Sequence, residues 1–167
     1  MRWLIDGYNV IRRDADLRAH EAESLEAGRT ALLRLVTRAA RATGDRFTVV
    51  FDGAPGSGPG PASGQVAVTF SRPPETADDV LVRQARQLGA GAALVTSDRA
   101  VRDAAGRAGC AVISADEFLR ALSAESEPER DDDDDDQRNR PDKRGNPRRL
   151  SKEARAAQRA LRRLRLP

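Results

Sequence analysis

A chain of 167 residues, 39% hydrophobic and 33% charged, suits one domain of ordinary size plus an appendage. Its single cysteine excludes a disulfide framework and a thiolate metal cluster, and its single histidine leaves little for His-centred nucleophilic catalysis. The net charge of +3 hides an asymmetry: residues 1–124 hold 16 Arg against 15 carboxylates, residues 125–136 nine carboxylates against Arg130, and residues 137–167 twelve Lys and Arg against Asp142 and Glu153.

The apolar start Trp3-Leu4-Ile5 reads as a strand that ends at Asp6-Gly7, followed by a loop. Asp6 interrupts that run too early for a signal peptide, and no apolar stretch approaches the ~20 residues that span a bilayer, so a reducing cytoplasm is the expected location. From about Glu21 to Thr43, Leu25, Leu32, Val36, Ala39 and Ala40 recur at helical spacing, and Gly44 is the stop. The β-branched and aromatic run Phe47-Thr48-Val49-Val50-Phe51 is a second strand, ending in Asp52-Gly53. Ala54 to Gly64 is a Gly/Pro/Ser-rich surface loop. Val66, Val68 and Phe70 alternate with smaller or polar residues as a third, half-exposed strand.

Thr76 caps a helix with Ala77, Val80, Leu81, Ala85 and Leu88 on one face, closed by Gly89 and Gly91. Ala92-Ala93-Leu94-Val95 is a fourth strand, ending at Thr96-Ser97-Asp98. A short helix then carries Val101, Ala104, Ala105 and Ala108. Cys110, a small buried thiol on this pattern, opens the fifth strand, Ala111-Val112-Ile113. Ser114 caps a last helix with Phe118, Leu119 and Leu122 inside. Strands that alternate with helices and lack a polar face indicate an α/β sandwich, a mostly parallel sheet of about five strands covered on both sides. Strand order is not legible.

Past Ser123 the character changes. Asp131 to Asp136 repel one another and cannot form a core, so residues 125–149 read as a disordered acidic-to-basic linker after a domain at 1–124. Residues 150–167 form a basic amphipathic tail. Leu150, Ala154, Ala157, Leu161 and Leu164 share a stripe, but so short a helix is marginal in water without a partner, and it is expected to be helical when bound.

In open α/β sheets ligands bind outside the carboxyl ends of the strands. Asp6, Asp52 and Asp98 end three strands at that edge, and Asp78 opens the helix after Glu75-Thr76-Ala77. Each alone could merely start a turn or cap a helix; together they predict a shared site. Clustered carboxylates repel unless a cation neutralises them, and Mg²⁺ or Mn²⁺ prefers such oxygen ligands and suits phosphate substrates. Arg12, Arg13, Arg72, Arg83, Arg99 and Arg102 flank the acidic strand ends and could hold a phosphate backbone, or could simply be surface arginines. Trp3 is expected in the core. Tyr8 could stack an unpaired base or pack against the first loop.

Four segments, Leu4-Ile5-Asp6-Gly7-Tyr8-Asn9-Val10-Ile11, Val50-Phe51-Asp52-Gly53, Glu75-Thr76-Ala77-Asp78-Asp79 and Val95-Thr96-Ser97-Asp98-Arg99, occur in an order and at spacings that resemble the YacP-like branch of the NYN domains. The resemblance covers roughly residues 2 to 122. It implies a PIN-like three-layer sandwich and a metal-dependent endonuclease acting on RNA, in one branch of the family during translation on the ribosome. By position it makes Asp6, Asp78 and Asp98 the catalytic metal ligands and gives Asn9 a role in orienting the site or contacting substrate. Arg99, Arg12 and Arg72 are the matching candidates for substrate binding; Asp52 and Asp79 are further acidic candidates. Relatives often carry another acid along the helix that Asp78 opens, where this chain has Arg83; Glu75 and Asp103 are the residues that could compensate.

The function expected on these grounds is RNA phosphodiester hydrolysis at a carboxylate site holding Mg²⁺ or Mn²⁺. The basic tail, which has no aromatic residue for stacking, would bind RNA, including ribosomal RNA, through its phosphates and in a salt-dependent way. The alternative is a non-catalytic RNA- or ribosome-binding protein that uses this tail. A small-phosphoester phosphatase ranks last, because Asp6-Gly7-Tyr8 lacks the second acid of an Asp-x-Asp pair. Oligomeric state is open.

Overall fold

Successive side chains of a strand point to opposite faces, so the unbroken apolar runs of this chain need a cover on both sides. The computed structural model, which describes residues 1–53, 64–123 and 152–164, provides it. Strands β1 (Arg2–Asp6), β2 (Arg46–Phe51), β3 (Val66–Phe70), β4 (Ala92–Val95) and β5 (Ala111–Ile113) form one sheet in the order β3-β2-β1-β4-β5, every pair parallel. In register, Ile5 of the central strand lies between Val49 and Val95.

The pleat sorts the strand residues into two cores. Trp3, Ile5, Phe47, Val49, Val95 and Ile113 pack under α1 (Gly7–Ile11), α2 (Ala15–Glu23), α3 (Leu25–Thr43) and α6 (Ala115–Ser123). Leu4, Val50, Ala92 and Leu94 face α4 (Ala77–Leu88) and α5 (Arg99–Arg107). Cys110 lies buried in this second core, its thiol donating toward the carbonyls of Ala85 and Gly89, and burial pushes its pKa up.

Two local expectations are revised. The segment after Asp6 is not a loop: α1 starts at Gly7, because the Asp6 carboxylate caps it by accepting from the Asn9 N–H at 3.2 Å. The helix expected from Glu21 to Thr43 is two helices. Ser24 leaves the helical region (φ −166°, ψ 153°), and its hydroxyl accepts from the Ala27 N–H to start α3. Gly44 does stop α3, at φ +71°, where a side chain would be strained.

The basic tail finds the partner its helix needs within the chain itself. Its helix, α7 (Lys152–Leu164), packs against β5, α6 and α3, with Ala160 and Leu164 buried in the first core. Burial of its stripe supplies the stability that so short a helix lacks alone. Leu150, Leu166, residues 54–63 of the Gly/Pro-rich stretch and the acidic linker at 125–149 lie outside the described residues.

Asp45, between α3 and β2 at the amino edge of the sheet, ties α7 in place. Arg163 donates to it at 2.6 and 3.0 Å, the N-terminal amine at 2.6 Å and the Trp3 indole N–H at 3.1 Å. Burial alone would raise the Asp45 pKa, but these donors overcome it and hold the carboxyl at about 2.

Candidate active site

The strand order places a topological switch between β1 and β4: the chain leaves β1 to build the β2-β3 side and leaves β4 to build β5. In parallel α/β sheets the crevice beyond the carboxyl ends at such a point receives the ligand. Asp6 ends β1 there and Asp98 follows β4. Their connection runs through Thr96, whose hydroxyl donates to Asp6 Oδ2 at 2.9 Å and accepts from the Asp98 N–H at 3.1 Å. Asn9 adds a second tie, its side-chain oxygen accepting from the Ser97 N–H at 2.8 Å.

A third strand end joins from the other side. Asp52 Oδ1 accepts from the Ala77 N–H at 2.8 Å and from the Ser71 hydroxyl at 3.2 Å, which anchors the start of α4 on β2. Asp78, next along α4, is thereby held toward the cluster and has no hydrogen-bond or ion-pair partner among the described residues. Gly53 is pressed so closely on the Ser71 carbonyl that a Cβ would collide with it, so this junction admits no side chain.

The electrostatics are those of crowded, poorly compensated acids. Burial pushes the Asp6 pKa up; the hydrogen bonds from Thr96 and Asn9 oppose the rise, and the charges of Asp78 and Asp52 add to it. Asp78 is raised as well, by partial burial and then by Asp98, Asp52 and Asp79. Asp6, Asp52, Asp78 and Asp98 therefore feel one another across the carboxyl edge.

The remaining acidic candidates have other partners. Asp79 closes a capping box with Thr76, accepting from its N–H and hydroxyl at 3.0 and 2.9 Å. Glu75 pairs with Arg83, so the cation that stands where a further acid was expected also engages the carboxylate expected to compensate for it. Asp103 is exposed on α5. Arg12, Arg72 and Arg99 are exposed around the same edge, and none forms an ion pair among the described residues.

The donor chemistry suits a hard divalent cation, being all oxygen with like charges to neutralise. Among the described residues, however, no three His, Cys, Asp or Glu side chains converge tightly enough to ligate one ion by themselves. That geometry fits an ion held by one or two carboxylates which keeps several waters, the habit of Mg²⁺ at phosphate sites.

Sequence reasoning missed Arg29, whose guanidinium sits over Tyr8, Phe51 and Phe70 beside this edge. Its position in the middle of an Arg-rich helix carries no distinguishing pattern. A groove of about 860 Å³, lined by His20, Arg34 and Arg120 among others, lies between α2, α3 and α6, away from the Asp6 cluster.

Known proteins share the family and the fold. The sequence matches the YacP-like NYN domain family over residues 3–163. Two solved structures are similar: YacP (Rae1) from Bacillus subtilis and a point mutant of it, each 30% identical, with 74% of both chains covered and TM-scores of 0.62 and 0.63. No curated protein matches the sequence.

Proposed function

Since this chain belongs to the YacP-like NYN domain family, a PIN-like nuclease family, we propose that it is a metal-dependent endoribonuclease hydrolysing RNA phosphodiester bonds. The observation that carries this is the buried Asp6 carboxyl at the switch point, hydrogen-bonded by Thr96 and Asn9 and crowded by Asp52 and Asp78. The other buried carboxylate, Asp45, is paired with cations, and this one has none among the described residues.

Each residue's part follows from its position. Asp6 and Asp78 hold the divalent ion from two elements, and Asp98 adds charge from a third. Thr96 fixes the Asp6 carboxylate, Asn9 locks α1 to the end of β4, and Asp52 anchors α4 so that Asp78 faces the cleft. Arg12, Arg72 and Arg99 balance the phosphates that flank the scissile one. Asp6 and Asp78 would hold the Mg²⁺ or Mn²⁺, whose chemistry when bound would be water activation and stabilisation of a leaving oxygen.

Incubating the pure protein with single-stranded RNA and Mn²⁺ tests this. The wild type cleaves, and Asp6→Asn loses about 100-fold or more of the rate. Equal cleavage by both proteins overturns the proposal.

A second reading has its own support. Among the described residues no three carboxylates converge on one ion and Glu75 is paired with Arg83, which favours a non-catalytic RNA-binding protein. Lys152, Arg155, Arg159 and Arg162 are exposed on α7 at helical spacing, a surface suited to RNA phosphates, including those of a ribosome. On that reading the wild type never cleaves, and replacing Arg155, Arg159 and Arg162 with Gln abolishes salt-dependent binding to ribosomes. Among the described residues no helix is long and apolar enough to cross a membrane.

A further inference from the structure

Arg29 of α3 reaches the carboxyl edge where Tyr8, Phe51 and Phe70 cluster. The Tyr8 ring meets Phe51 edge-on with centroids 5.1 Å apart, and Phe51 stacks on Phe70 at 5.7 Å. The Arg29 Cζ lies 5.7, 5.8 and 5.2 Å from the centroids of Tyr8, Phe51 and Phe70. Its Nε and Nη2 donate to the Tyr8 hydroxyl at 2.9 and 2.6 Å. Arg12 contributes a second guanidinium 5.7 Å from the Tyr8 centroid.

Arg29 is half-buried and has no carboxylate partner among the described residues, although acids are close: Tyr8 is two residues from Asp6 and Phe51 is adjacent to Asp52. A side chain needed only to fill space on an aromatic cluster would be cheaper as Leu or Met, which carry no charge to desolvate. The phenol can accept but cannot neutralise, so it orients the planar fork through Nε and Nη2, and among the described residues Nη1 has no hydrogen-bond acceptor. A fixed guanidinium with an open end beside an acidic site suits a phosphate oxyanion, which the carboxylates alone would repel.

We infer that Arg29, seated on Tyr8, Phe51 and Phe70, binds an RNA backbone phosphate flanking the one at the carboxylates. Phe70 places this contact on the β3 side of the cluster, so the RNA strand runs from β4 across β1 toward β3. The inference rests on the proposed function insofar as RNA occupies this edge.

Its test measures binding without cleavage, in full-length protein carrying Asp6→Asn. The affinity for a single-stranded RNA oligonucleotide is followed by fluorescence anisotropy over a range of salt concentrations, with and without Arg29→Met. Loss of the phosphate contact weakens binding about tenfold. The slope of log affinity against log salt becomes shallower by about 0.7. Arg29→Lys, which keeps the charge over the rings but not the planar fork, retains the slope and the melting temperature while losing affinity. A falling melting temperature with unchanged affinity and slope in Arg29→Met would show a structural cation and overturn the inference. If Arg29→Met weakens binding although the wild type never cleaves, the inference stands and the nuclease reading falls. If the wild type cleaves and Arg29→Met changes nothing in binding, the reverse holds. If the wild type does not bind RNA, both fall.

Discussion

Asp45 at the amino edge of the sheet and Asp6 at its carboxyl edge are both buried carboxylates, 2% and 9% exposed. Asp45 receives two cations and an indole N–H, and its pKa falls to about 2. Asp6 receives one hydroxyl and one backbone N–H, and burial together with two neighbouring carboxylates pushes its pKa up. One acid is satisfied from within the chain and holds the structure together. The other has no cation partner among the described residues. Burial alone therefore does not set the character of a buried acid; its partners do.

The largest expected difference between the two is in chemistry. Asp6→Asn removes most RNA cleavage yet leaves the unfolding free energy unchanged or higher, because it relieves repulsion while keeping an oxygen for the α1 cap. A marked loss of stability in a urea titration would break the comparison. Asp45→Asn does the opposite. Leaving Arg163 and the amine without their buried partner costs about 3 kcal/mol. That lowers the melting temperature by roughly 6–12 °C, while cleavage per folded molecule is unchanged.

A smaller effect comes with acid. Because the folded pKa of Asp45 lies below its ordinary 3.8, its contribution is complete above that value and disappears as pH falls through about 2. Urea midpoints measured from pH 5 to pH 2 therefore fall more steeply for the wild type than for Asp45→Asn. Parallel curves would show that the Asp45 partners do not act as donors to a charged group. Least of all, Arg83→Gln breaks an exposed pair worth under about 1 kcal/mol. Freed from Arg83, Glu75 becomes available to the site, and Mn²⁺ affinity measured by calorimetry rises. An unchanged affinity would place Glu75 outside the site.

What was legible in the sequence follows the same divide. The five strands could be read because buried parallel strands are unbroken apolar runs, and Asp6, Asp52 and Asp98 could be read because they stand where those runs end. α1 was hidden, since five residues are too few to show a period, and the break at Ser24 looked like one more polar position in a helical pattern. Asp45 drew no attention beside Gly44, because its donors come from 42, 44 and 118 residues away. Arg29 was equally silent, one arginine among many in α3 until its ring partners came together. Of the tail's stripe, Ala157, Leu161 and Leu164 meet the first core, whereas buried Ala160 stands outside that stripe and Leu150 lies outside the described residues.

The latch between Asp45 and Arg163 also has a consequence in time. Synthesis at about 5–20 residues per second separates the two partners by roughly 6–24 seconds. Throughout that interval the Asp45 carboxylate lacks its arginine, and the flank of the sheet that will bury Ala160 and Leu164 stays open to water and to other chains. A nascent molecule is therefore most exposed to aggregation after its sheet has formed and before α7 emerges, and helpers that bind apolar surface have that window in which to act.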